Sequence, residues 1–196
     1  MPAATPAPAL EVTFVRVRGQ RDRIYVHRPD GSELSWVFPS HGDGLPHDLV
    51  HLVVESAFGI RRGFFGLVAE GIDPVRVNAE ANRLTGPDKY RGFGEDRREL
   101  LLAEQLAALP SFPIPGAEET DESRYARIIA ACAELGLGVP PAVSLERVAA
   151  VRVALEQLRE RWRAIGEKGA IGLHFLPGDP ERGFAAIAAE TGAPAS

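Results

Sequence analysis

An α+β fold is what the sequence predicts: a three-stranded antiparallel meander at the N-terminus, packed by a layer of five or six helices. Three observations carry that reading. Apolar and polar residues alternate between Leu10 and Phe38, apolar residues recur at helical spacing after Pro46, and Gly and Pro break the chain between segments. The 196 residues, 45% hydrophobic and 25% charged, suffice for one core and are too few for two full-sized domains.

Taken in order, residues 1–9 read as a disordered Pro/Ala tail, 10–177 as a single α+β domain and 178–196 as an Ala-rich C-terminal tail. The meander is marked by Val12, Phe14, Val15 and Val17, then Ile24, Tyr25 and Val26, then Leu34, Trp36 and Phe38, with turns at Gly19-Gln20 and Pro29-Asp30-Gly31-Ser32. Pro46 suits the first turn of a helix that runs to about Phe58, and Gly59 is placed to stop it in the left-handed conformation. Further helices are expected over 62–70, 74–84, 95–109 and 122–135; the one over 95–109 carries its apolar seam on Leu101, Leu102, Leu106 and Leu109. Residues 110–121 read as an exposed connector. From Ser144 to Ile165, Val148, Val151, Leu155, Leu158, Trp162 and Ile165 form a heptad-like seam along about 33 Å of helix. That helix, 145–165, is a candidate homodimer interface, or equally one half of an internal helix pair. Residues 169–176 read as a last strand placed to join the sheet.

Composition narrows the function classes. No apolar run approaches the roughly 20 residues of a membrane helix, so no membrane partner is expected. The N-terminus has neither a basic n-region nor an apolar h-region, and Cys132 stands alone, which together point to a cytoplasmic location without disulfides. Arg16, Arg18, Arg21, Arg23 and Arg28 make the first hairpin basic. The net charge of −5 and the lack of an aromatic platform argue against nucleic acid and for a solvated sheet face.

The chemistry is concentrated in one helix. His41, His47 and His51, three of the five histidines, fall within eleven residues beside Asp43, Asp48 and Glu55. At 100° per residue His51 lies about 40°, Glu55 about 80° and Asp48 about 100° from His47, so these side chains share one arc. The rest of the circumference is apolar but for Ser56, and no Lys or Arg occurs from Leu45 to Ile60. A helix so patterned is buried on most sides, and its polar groups need hydrogen bonds or a cation. Two histidines one turn apart aim two ring nitrogens at one point, which suits a divalent metal, zinc above all. Two carboxylates compete to be the third ligand. Glu55, two turns from His47, is better placed to orient a His ring, and Glu70 arrives from the next helical segment.

His47-Asp48-Leu49-Val50-His51 resembles the HExxH motif of zincin metallopeptidases, and the eighteen residues between His51 and Glu70 are similar to the spacing of the third ligand in gluzincins. The resemblance covers about 25 residues. It implies His47, His51 and Glu70 as ligands, Asp48 in the place of the general base, and metal-assisted hydrolysis as the reaction class. Asp48 is one methylene shorter than the Glu of that motif. HDxxH also resembles the zinc motif of a family in coenzyme Q biosynthesis, but Gly63 stands where that family has its Glu. His41, Arg61 and Arg62 are the candidate substrate contacts. The competing function is a non-enzymatic structural or interaction protein in which the His/Asp/Glu arc is a buried hydrogen-bond network.

Overall fold

The computed structural model describes residues 9–38, 43–83, 88–111 and 119–192. The tail read at 1–9 (but for Ala9), His41 and most of the connector at 110–121 lie outside the described residues.

Strands β1 (Leu10–Val17), β2 (Arg23–His27) and β3 (Glu33–Val37) form the expected meander, and β4 (Lys168–Phe175) returns to pair with β1, giving an antiparallel sheet of order β3-β2-β1-β4. The register sets Phe14 opposite Ile24 and Ile171, and Val12 opposite Val26 and Leu173. One face therefore gathers Leu10, Val12, Phe14, Ile24, Val26, Trp36, Ile171, Leu173 and Phe175, all buried, while alternate residues such as Tyr25 face outward.

Helix α1 (His47–Phe58) is central, every residue from Asp48 to Phe58 being buried. The carbonyl of Pro46 accepts from the N–H groups of Leu49 and Val50, and Gly59, at φ 69°, closes the helix with its N–H on the carbonyl of Glu55. Around it lie α2 (Phe64–Ala69), α3 (Pro74–Arg83), α4 (Arg97–Ser111), α5 (Asp121–Glu134), α6 (Leu145–Ala164) and α7 (Pro180–Thr191), with a 3-10 turn at Arg91–Asp96 before α4. Phe65 of α2 ties layer to sheet, its ring edge-on to Phe14 with centroids 6.4 Å apart and 6.0 Å from that of Phe175.

The structure departs from the sequence reading at two places. Among the described residues there are seven α-helices, because the expected C-terminal tail contains α7. Asp179 caps it, Pro180 opens it, and its Phe184, Ile187 and Ala188 are buried against α1, α6 and β4. The seam of α6 packs inside the chain, with Leu158 and Trp162 fully buried and α1, α5 and α7 as its neighbours, which is the internal packing that the sequence allowed. The arginines of the first hairpin do not form one solvated patch. Arg16 is buried, donates to the carbonyl of Trp162 at 2.7 Å and pairs with Asp43; Arg28 donates to the carbonyls of Val68 and Ile72 at the end of α2.

Candidate metal centre

The site begins with the first two turns of α1. His47 and His51, one turn apart, lie with ring centroids 4.7 Å apart in an edge-on arrangement. The group that completes the cluster comes from α4: ligand atoms of His47, His51 and Glu104 all lie within 4.8 Å of one another. His51 Nε2 is 3.8 Å from Glu104 Oε1. That oxygen also accepts the Tyr90 hydroxyl and lies 3.1 Å from Lys89 Nζ, so the segment before α4 surrounds the carboxylate. Tyr90 has the left-handed backbone, φ 61°, of a non-glycine residue held by its surroundings.

On the far side of His51, its Nδ1 faces Glu55 Oε1 at 3.4 Å. Glu55 is itself held by the start of α2, accepting from the N–H groups of Phe64 at 2.7 Å, Phe65 at 2.9 Å and Gly66 at 3.3 Å. The N-cap of α2 is Gly63, which has no side chain to offer, and the carboxylate from α1 does that job instead. Gly63 is required here: a Cβ on it would lie 2.4 Å from Cδ of Glu55. Asp48 is buried and accepts from Trp36 Nε1 at 2.9 Å, which anchors the start of α1 to β3.

Electrostatics follow from that enclosure. Burial, aided by the neighbouring His51, pulls the His47 imidazole down to about 4 and so keeps it neutral at physiological pH. Burial pushes the Asp48 carboxyl up to about 6 against the hydrogen bond from Trp36. For His51 burial works against the charge, yet Glu55, Glu104 and Asp48 outweigh it and raise the imidazole above its ordinary value. For Glu104 the penalty of burial is outweighed by His51, Tyr90 and Lys89, which hold the carboxyl below its usual range. Three carboxylates, Asp48, Glu55 and Glu104, thus face one ammonium and two imidazoles, a surroundings short of positive charge.

His47, Asp48, His51, Lys89, Tyr90 and Glu104 line a cavity of about 350 Å³, together with Phe38, Phe64, Asn78 and Asn82. Of the sequence-derived candidates, the fold thus brings together His47, His51 and Asp48 at the cavity, with Glu55 behind His51. It takes Glu70 elsewhere: Glu70 forms an ion pair at 3.1 Å with Arg62, whose guanidinium also binds Asp96. The backbone N–H groups of Arg61 and Arg62 donate to Glu99. Neither arginine lines the cavity, and His41 falls outside the described residues. The carboxylate that sequence reasoning missed is Glu104. Its signal was an acidic residue on the helix whose buried stripe takes in Leu100, Ala103 and Ala107 as well as Leu102 and Leu106 of the expected seam; with Leu100, Ala103 and Ala107 left out, the buried face is drawn too far from Glu104.

No family model, curated protein or solved structure matches the chain.

Proposed function

We propose that the protein binds a divalent metal ion, zinc by the character of its donors, through His47, His51 and Glu104. The observation that carries this is the convergence of two imidazoles and a carboxylate within 4.8 Å of one another on the wall of a cavity. Two neighbouring features support it. Glu55, fixed by three N–H groups, stands behind His51 Nδ1 and leaves Nε2 directed at Glu104; a ring nitrogen facing a carboxylate needs a proton or a cation between them. The excess of carboxylates over cations favours the doubly charged ion. Three protein ligands leave a fourth position for water or substrate, the arrangement used by hydrolytic zinc sites, and Asp48, in the lining of the same cavity, is the candidate base for a metal-bound water.

One observation favours a second reading. Glu104 already has Tyr90 and Lys89 as partners, so a protonated His51 between Glu55 and Glu104 would make a self-sufficient ion network that only holds α1 against α4. Elemental analysis of untagged protein purified from zinc-supplemented medium separates the two. About one zinc per chain is expected, lost in His47→Ala/His51→Ala and reduced in Glu104→Gln, and retained in Glu70→Gln. Metal-free native protein whose melting temperature does not respond to Zn²⁺ would leave the ion network as the function of the cluster.

A further inference from the structure

On the metal reading above, we propose that the cavity binds a small organic monocarboxylate, one oxygen on the metal and the other on the Lys89 ammonium, with the organic body against Phe38 and Phe64. Lys89 sets the charge requirement. Its Nζ lies 3.1 Å from Glu104 Oε1 and it lines the same cavity as the three ligands. A metal ion that takes Glu104 draws that carboxylate's charge toward itself, and the ammonium loses part of its counter-charge while gaining a divalent neighbour. Two positive centres then share the cavity lining a few ångströms apart. An anion that spans them relieves the repulsion and accepts a charge-assisted hydrogen bond, whereas a neutral carbonyl would answer to the metal alone.

Charge count and shape define the class further. Among the described lining residues Lys89 is the single lysine and there is no arginine, while Asp48 and Glu104 contribute carboxylates. Sites for phosphate use arginine forks or several N–H groups, so this lining suits a monoanion and repels a dianion. The cavity, about 350 Å³, has the size of a small-molecule site. Its apolar part, Phe38 and the buried Phe64, gives an organic body a surface that acetate or bicarbonate would leave unused.

The test uses the full chain with Co²⁺ as the probe metal, whose visible absorption reports its own coordination, and benzoate, benzamide and phenylphosphonate as probes of charge. Benzoate is expected to change the Co²⁺ spectrum and to bind more tightly than both benzamide and phenylphosphonate. Lys89→Met, measured with its Co²⁺ band present, should weaken benzoate by roughly tenfold or more, and Lys89→Arg should restore part of it. Benzoate binding equal in Lys89→Met, equal binding of benzamide, or tighter binding of phenylphosphonate would each overturn the proposal. Co²⁺ binding with no response to benzoate overturns this inference alone. If Co²⁺ does not bind, the metal reading fails and this one falls with it.

Discussion

Glu55 shows how much one side chain does here. It has no contact with solvent, stands behind His51, and supplies the acceptors that α2 needs at its first turn. Glu55→Gln is nearly isosteric but replaces one acceptor oxygen by an NH₂ group, which would meet the N–H of Phe64 or Phe65 donor to donor. A loss of about 1 to 3 kcal/mol is expected in urea unfolding. The same change removes the charge behind His51, and zinc affinity should fall roughly ten- to hundredfold in a competition titration with a chromophoric chelator. Glu70→Gln, on an exposed ion pair with Arg62, should move neither quantity measurably. Tyr90→Phe removes only the hydroxyl on Glu104, and the loss should appear in metal affinity more than in stability, since the ring keeps its packing against Phe93.

At the scale of elements, α5 and α6 are joined through polar as well as apolar contacts. Arg152 of α6 donates to Asp121 at 2.9 Å and 3.2 Å, and Arg124 reaches the same carboxylate. The bond from Arg152 is the main cause that holds Asp121 below its ordinary value. A depressed acid contributes stability above its unfolded value, about 3.9, and loses it as pH falls through the folded one. Asp121→Asn is therefore expected to cost under about 1 kcal/mol at pH 7, and its gap from the wild type to narrow steadily as pH falls below the unfolded value, read from unfolding curves over a pH series. The elements themselves were mostly legible in the sequence, since strand alternation and the turn chemistry of Gly59 and Ser144 are local signals. What failed was register and tertiary context. Arg16 alternates onto the inner face of β1, and the carbonyl of Trp162, 146 residues away, together with the carboxylate of Asp43, makes its burial tolerable. Glu104 was hidden for the same reason, because its partners come from α1 and from the segment at Lys89 and Tyr90. The His47/His51 arc was legible because one helix carries it whole.

For the whole molecule, the candidate metal centre lies where three separately built parts meet: α1, α4 and the turn before it, and the start of α2 through Glu55. None of the three can place the ligands alone, so an ion held there binds the folded state and not the unfolded chain to any comparable degree. Mass action then couples occupancy to global stability. At a free zinc concentration a thousandfold above the dissociation constant, the native state should gain about 4 kcal/mol, and the melting temperature should rise with zinc and return on chelation. A truncation bears on the same point from the other end of the chain. Phe184→Ala in α7 removes a fully buried ring that packs beside Arg147 and does not line the ligand cavity, and should cost about 3 to 5 kcal/mol. Added zinc should recover most of that loss in Phe184→Ala and none of it in Phe184→Ala/His51→Ala, measured as melting temperatures with and without chelator. A zinc response that persists in the double variant would place the stabilising ion away from His51, and equal curves in all conditions would leave the fold independent of any ion.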